Sequence, residues 1–427
     1  MAALIGQGEI SVDLIREALE LARSLLDGVW LVREFAKQPS DPLLMTRRTP
    51  ITPGQQIHRI RYEQDDLIHP LAEAVLAAEE VLAEYQTSGL LRPSIRIYLL
   101  LSLRDVGLTW QRIANAETRL ARLSSIDWHA ALYELLVAAS YLEIGDVALL
   151  PEGATPTPDI RVETDQLVYV ECKAKTQHEE QVGRFLRRWR EQALGAIADL
   201  TKRADAGLLV KVVVKKDGDL SRIPVAVEEM VRAGETAREL RNARISIEPF
   251  ESGSVQPPVP MSLTSSEFWK WAMGFDEDDD WHFVLPGGNF QFSSVPHLIV
   301  KEVARPTLIC VRAEWLSGTT QDVYGPLKEA CRKQLRVHQP GILHMKINTA
   351  LFALGVRGNA SAVKEVLLEA AEKIFRDYSR VSQIYYDIVS PPVWGTFGAA
   401  TDRLGLTNKR AKSSLNLPGT PQPILLL

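Results

Sequence analysis

Two short segments in which apolar and polar residues alternate constrain the fold more than any other feature of this chain. In PDIRVE, residues 158–163, and in QLVYVECKAK, residues 166–175, an apolar residue occupies every second position. Because successive side chains of a strand point to opposite faces, each segment predicts a strand with one face in a core. The short polar turn between them predicts a hairpin, which would bring Asp159 close to Glu171.

The order of helical and alternating patterns divides the chain into five predicted parts. Apolar residues three and four apart predict a helical domain over residues 1–125. Residues 126–216 have the pattern of helix, three strands, helix and strand, which predicts a small α/β core. The remaining parts are a connecting helix, strand and linker (217–280), a second α/β region (281–390) and a tail (391–427). The predicted class is mixed α/β.

Composition and charge narrow the classes of partner. Hydrophobic residues make up 46% and charged residues 24% of the chain, and the formal net charge is -5, so overall charge does not predict a protein that coats nucleic acid. The three cysteines show no CxxC spacing, which indicates neither a disulfide framework nor a zinc site. No window reaches the apolar length of a membrane span, and no leader pattern is present. A cytoplasmic protein without a membrane partner is therefore expected.

The charged face of the second predicted strand carries the candidate chemistry. Glu171 and Lys173 share that face, about 7 Å apart from the rise per residue of a strand. Two carboxylates, Asp159 and Glu171, would supply the hard oxygen ligands that Mg²⁺ prefers. Lys173 could orient or help to deprotonate an attacking water and offset developing negative charge. Glu134, on the preceding helix, is a third candidate, because a carboxylate in an apolar run needs a partner.

These residues resemble the PD-(D/E)XK nuclease superfamily, the restriction-endonuclease-like fold. The likeness consists of a helix with YELL, then TPDI, then a strand ending in VECK, and it covers about residues 126–216. The resemblance implies metal binding by Asp159 and Glu171, a catalytic role for Lys173, and a metal-linked, catalytic or structural role for Glu134. It also implies a Mg²⁺-dependent or Mn²⁺-dependent endonuclease, with DNA preferred over RNA, in prokaryotic defence or DNA processing.

Basic residues after the motif are candidates for contacts with nucleic acid. Lys175 follows the second strand, and Arg184, Arg187 and Arg188 share a stripe on the next predicted helix. This stripe is interpreted either as a phosphate-contacting surface or as a solvated helix face. Gln192 is a secondary candidate, at a position where such families often carry a supporting polar residue.

The second α/β region allows two interpretations. Laying LICVRAEW on LVYVECKA places Arg312 opposite Glu171 and Glu314 opposite Lys173, which suggests a duplicated copy without its catalytic charges. The alternative is a separate module for interaction or substrate positioning. Either this region or the N-terminal helices could mediate a homo-oligomer or bind a protein partner.

Two functions compete with the nuclease hypothesis. One is a catalytically inactive binding or scaffold protein that keeps the nuclease fold. The other is a toxin or effector that its own flanking domains hold in check, in which case truncation to residues 126–216 would raise activity.

Overall fold

Helices and strands alternate along most of the chain. A computed structural model describes residues 10–37, 68–89, 96–153, 156–174, 177–250, 253–263, 266–275, 281, 283–294, 299–316, 320–348, 360–390, 400–422 and 424. The helices are α1 (Val12–Leu25), α2 (Gly28–Phe35), α3 (Pro70–Ser88), α4 (Arg96–Thr109), α5 (Glu117–Leu120), α6 (Trp128–Ser140), α7 (Gln177–Trp189), α8 (Gly195–Arg203), α9 (Arg222–Ala233), α10 (Ser266–Met273), α11 (Thr320–Lys333) and α12 (Ala360–Asp377). The strands are β1 (Ile113–Ala114), β2 (Asp146–Leu149), β3 (Ile160–Glu163), β4 (Leu167–Lys173), β5 (Gly207–Val214), β6 (Ala237–Glu239), β7 (Ala243–Phe250), β8 (Ser254–Val255), β9 (Met261–Ser262), β10 (Phe283–Ser294), β11 (Ile299–Ala313), β12 (Gly341–Asn348), β13 (Val381–Ser390) and β14 (Ala400–Thr407).

The N-terminal helices begin at residues suited to capping. Ser11 accepts a hydrogen bond from the backbone N–H of Leu14, and Asp27 accepts one from Trp30, at 3.1 and 2.6 Å. Such side-chain oxygens satisfy backbone donors that have no partner within the first helical turn. The two N-terminal helices therefore begin with satisfied backbone donors.

The strands form two mixed sheets. The first sheet has the order β1-β2-β3-β4-β12-β13-β14, and the second has the order β10-β11-β5-β7-β6, with β8 and β9 beside β11. In the first sheet β2, β3 and β4 form an antiparallel meander. β12 is parallel to β4, β13 is parallel to β12, and β14 is antiparallel to β13. The mixed α/β class is confirmed.

The chain crosses twice between the two sheets, each time through helices. From β4 in the first sheet the chain passes through α7 and α8 into β5 of the second sheet, where β5 is parallel to β11. From β11 it passes through α11 into β12 of the first sheet. The prediction that the strand at 207–214 completes the sheet of β4 is therefore wrong, and β12 takes that position. The core does not end at residue 216, and residues 281–390 contribute to both sheets.

One hydrophobic core joins the N-terminal helices to the first sheet. Its fully buried members include Ile15 of α1, Leu100 of α4, Leu135 of α6, Val170 of β4 and Ile342 of β12. Because these side chains belong to one cluster, the helices of residues 1–125 do not have a core separate from that of the sheet. β1, which pairs with β2, also lies within this region that was expected to be helical.

Helices cover the other faces of the sheets. α11 and α12 pack on the opposite face of the first sheet, around Leu327, Leu343 and Leu367. α7, α8 and α9 cover one face of the second sheet, and α10 covers the other. Among the described residues, none of the helices combines the length and the apolar character needed to cross a bilayer.

The C-terminal segment is ordered where the structure describes it. β14 pairs with β13 from Thr407 back to Ala400, and Ile424 is buried in the core of the first sheet. Part of the region predicted as a tail, residues 391–427, is therefore a strand, because the backbone groups of β14 complete the ladder of β13.

Candidate active site

The β3–β4 hairpin brings Asp159 and Glu171 together, as the alternation predicts. Ile160 pairs with Val170 in the antiparallel register, so the residue before β3 lies beside the end of β4. The backbone N–H of Cys172 donates a hydrogen bond of 2.7 Å to Asp159 Oδ2. This bond fixes the Asp159 carboxyl against the strand that carries Glu171. Alternation then turns Cys172 into the core and leaves Glu171 on the opposite face.

Glu171 has one satisfied and one unsatisfied carboxylate oxygen. Lys173 Nζ lies 2.7 Å from Glu171 Oε1, and Glu171 is 1% exposed. Glu171 Oε2 is buried and accepts no hydrogen bond among the described residues. Asp159 can donate to Glu171 only when it is protonated, and such a hydrogen bond lowers the pKa of Glu171. A proton or a cation beside Glu171 Oε2 would relieve the cost of leaving this buried acceptor without a partner.

Glu134 reaches the same place from α6, but it is held by a cation of the chain itself. Arg119 Nε donates a hydrogen bond of 2.5 Å to Glu134 Oε2, and Arg119 NH2 donates to the Leu150 carbonyl at 3.3 Å. Both side chains are buried, with Arg119 only 2% exposed. Burial disfavours the charge of Arg119 and lowers its pKa, but the attraction of Glu134 outweighs burial and keeps the pKa of Arg119 above its ordinary value.

Crowding of the three carboxyls disfavours their ionisation. Burial, with repulsion from Glu171, raises the pKa of Asp159 to about 8. Burial raises the pKa of Glu171 to about 7 against the opposing effect of Lys173. Burial and repulsion from Asp159 raise the pKa of Glu134 to about 7. Burial lowers the pKa of Lys173, but the attraction of Glu171 outweighs it and the net pKa is raised, so Lys173 stays an ammonium ion.

The candidate residues line one cleft of about 420 Å³. Glu134, Asp159, Glu171 and Lys173 all contribute to its wall. Gln334, just after α11, also lines it, and Gln334 Oε1 is buried without a hydrogen-bond partner among the described residues. The sequence interpretation missed Gln334, because it assigned the supporting helix to α7.

The donor set suits a small divalent cation. The part of the chain that the structure describes contains no group of three or more His, Cys, Asp or Glu side chains placed to hold a metal ion. Mg²⁺ commonly uses one or two carboxylates and completes its shell with water and phosphate oxygens. Asp159 and the unsatisfied oxygen of Glu171 meet that requirement, whereas Glu134 is engaged with Arg119.

The other predicted residues lie outside this cleft or beyond the described residues. Lys175 is not among the described residues. Arg184 and Arg187 are exposed on α7, and Arg188 forms an ion pair with Asp217. Gln192 accepts a hydrogen bond of 3.0 Å from the backbone N–H of Leu220. It therefore supports the segment before α9 and does not line the cleft.

A buried polar network lies behind the strand that carries Glu171. Tyr133 donates to Asp387 Oδ2 at 2.7 Å, and Arg403 Nε donates to Asp387 Oδ1 at 2.5 Å. His344 Nδ1 lies 3.2 Å from Asp387 Oδ2, while His344 Nε2 lies 2.8 Å from the Tyr141 hydroxyl. Burial lowers the pKa of His344 to about 4, so a neutral ring donates to Asp387 and accepts from Tyr141.

This network fixes α6 relative to the sheet. His344 of β12 pairs with Cys172 of β4, and Tyr133 of α6 precedes Glu134. Burial opposes ionisation of Asp387, but the hydrogen bonds and charges of His344 and Arg403 lower its pKa to about 2. An ionised, fully paired carboxylate of this kind specifies one arrangement of the elements around it.

The second sheet does not repeat this constellation at the compared positions. Arg312 lies over the Trp281 ring, with 5.7 Å between Cζ and the ring centroid. The backbone N–H of Glu314 donates to the Val214 carbonyl at 2.8 Å. The origin of this sheet by duplication stays a prediction.

Comparison of the chain with family models, with curated proteins and with solved structures gave no match.

Proposed function

We propose that this chain is a metal-dependent phosphodiesterase that hydrolyses nucleic acid, with DNA preferred over RNA. One observation carries the proposal: the buried carboxyl of Glu171 and the half-buried carboxyl of Asp159 converge in a cleft, with the Lys173 ammonium group beside them and with one Glu171 oxygen that has no donor among the described residues. Such an arrangement is costly unless a cation or a proton resolves it, and costly polar arrangements concentrate at functional sites.

Asp159 and Glu171 would hold the cation, Mg²⁺ or Mn²⁺. Such an ion polarises phosphate oxygens and lowers the pKa of water, which supplies a nucleophile at neutral pH. Lys173, being charged, would donate hydrogen bonds and offset negative charge that develops on the phosphate, and this role fits its raised pKa better than that of a base.

The topology around the cleft supports the likeness to PD-(D/E)XK nucleases. The first sheet and the helices packed on it give the chain order α6, β2, β3, β4, α11 and β12. In this order β2, β3 and β4 form the antiparallel meander, and β12 is parallel to β4. The last helix and strand come from residues 320–348 instead of 177–214. A role in prokaryotic defence or DNA processing follows from this likeness alone.

Exposed arginines on α7 support nucleic acid as the substrate. α7 begins at Gln177, shortly after the cleft residue Ala174. Arg184 and Arg187 lie roughly 10–15 Å further along the helix axis, from the rise per residue. Their exposed positive charge suits contacts with phosphates of the nucleic-acid backbone.

Cleavage assays with plasmid, single-stranded DNA and RNA, in Mg²⁺, Mn²⁺ or EDTA, test the proposal. Lys173→Ala and Glu171→Gln should abolish cleavage. The matched controls are Lys211→Ala, in an ion pair on the second sheet, and Glu163→Gln, exposed on β3. Cleavage that persists in EDTA or in Lys173→Ala would refute the proposed site. Metal binding without cleavage of any substrate would indicate a binding or scaffold protein.

A further inference from the structure

Arg119 is a buried cation that faces the carboxylate cluster and has no part in the motif. Beyond its 2.5 Å hydrogen bond to Glu134, its NH2 group lies 3.5 Å from Glu152 Oε1. Asp159 also attracts it, as the electrostatic contributions to the pKa of Arg119 indicate. The Arg119 guanidinium therefore lies beside Glu134, at the side of the cleft where Glu134 approaches Asp159.

The charges around the cleft limit how many further cations it can take. Among the residues that the structure describes there, four carboxylates face three cations; the carboxylates are those of Glu134, Glu152, Asp159 and Glu171, and the cations are Arg119, Arg122 and Lys173. With all of them ionised, one net negative charge is left. One divalent ion turns this into one net positive charge, which matches a phosphodiester. Two divalent ions would leave three positive charges next to the buried groups Arg119, Glu134 and Glu171, where excess charge is expensive.

We propose, resting on the function proposed above, that the site takes a single divalent cation and that Arg119 occupies the second cationic position. Asp159 and Glu171 hold the ion. Glu134 is not a ligand, because its carboxylate is engaged by Arg119 in a buried pair. Arg119 is thus a positioning residue that fixes Glu134 and supplies positive charge without a second metal.

Counting bound Mn²⁺ per chain tests this inference without reference to activity. Isothermal titration and electron paramagnetic resonance of Mn²⁺ would be applied to the full chain and three variants. Glu134→Gln should leave one ion bound, with the Kd changed by no more than about threefold. Asp159→Asn should weaken binding by at least about tenfold. Arg119→Gln should gain a second, weaker ion, since Glu134 is released.

The outcomes separate this inference from the function on which it rests. One Mn²⁺ in the wild-type chain, kept in Glu134→Gln, supports both. Two Mn²⁺ in the wild-type chain, or a more than tenfold weakening in Glu134→Gln, overturns the single-cation site but leaves the metal-dependent function standing. No bound Mn²⁺ overturns the proposed function as well. If Arg119→Gln does not fold, the wild-type and Glu134→Gln measurements still decide.

Discussion

Asp159→Asn should make the metal-free protein more stable, and the gain should grow with pH. The folded-state pKa of Asp159 is about 8 against an ordinary value of 3.8. A carboxyl whose pKa is raised on folding contributes full stability below its unfolded pKa and loses it as the pH rises through the folded pKa. Asparagine keeps the shape and the acceptor for the Cys172 N–H but cannot ionise, so it avoids this loss.

The size of the effect follows from the shift. About four pKa units correspond to a ceiling of about 6 kcal/mol, at about 1.4 kcal/mol per unit. Asp159 keeps part of its surface exposed and shares protons with Glu171, so we expect about 2–3 kcal/mol of extra unfolding free energy near pH 8 and almost none near pH 4.

Urea unfolding in EDTA, followed by tryptophan fluorescence between about pH 5 and pH 8, measures this difference. Asp165→Asn, exposed in the turn of the same hairpin, is the matched control and should show no gain. Adding Mg²⁺ should stabilise the wild-type chain more than Asp159→Asn, because the variant lacks one of the two carboxylates proposed to bind the ion. A stability difference that stays flat with pH, or that Asp165→Asn reproduces, would refute the reasoning about carboxyl crowding.

Three further predictions concern single features. Lys173→Met should lower the cleavage rate by about 10²–10⁴ while Mn²⁺ affinity by isothermal titration stays near wild type, and a parallel loss of both would contradict its proposed role. Replacing Arg184 and Arg187 by alanine should weaken DNA binding and reduce the slope of log K against log salt by about 1–2, measured by fluorescence anisotropy; an unchanged slope would make the stripe a solvated face. Tyr133→Phe should cost about 1–3 kcal/mol of unfolding free energy, because buried Asp387 loses a donor, and a neutral result in urea unfolding would argue against that network.

The β3–β4 hairpin was predictable because its information is local. The period-two alternation fixes which face of the sheet each residue of β3 and β4 occupies, and the short turn fixes their register. Asp159 and Glu171 must then meet, whatever surrounds them. The buried state of Val170 and Cys172 and the opposite placement of Glu171 follow from the same alternation.

The partners of this hairpin were not predictable from local pattern. α7 and α11 are both amphipathic helices followed by apolar strands, and β5 and β12 both suit a position beside a parallel strand. Which one pairs with β4 is decided by long-range packing, and a single sequence does not record it. Choosing α7 led to Gln192 as the supporting residue, whereas α11 brings Gln334 into the cleft.

Arg119 was missed for a related reason. Its segment has a helical pattern, but the structure interrupts it with β1 and short helical turns. An isolated arginine is usually exposed, so nothing in the sequence marks this one as buried. Its burial becomes favourable only through the nearby Glu134 carboxylate and the Leu150 carbonyl.

Strands of residues 126–216 pair with strands outside this range, so truncation to residues 126–216 should not release activity. In that fragment β4 would lose β12, and β5 would lose both β11 and β7. β2 would also lose β1, so unpaired edges on β2, β4 and β5 would be exposed to water, together with apolar faces that have lost their helices. We therefore expect the fragment to show no cooperative unfolding transition by circular dichroism, and no metal-dependent activity. Co-expressed fragments 1–216 and 217–427 should instead copurify, because each sheet needs strands from both. A fragment 126–216 that unfolds cooperatively as a monomer would contradict the interdependence of the two sheets.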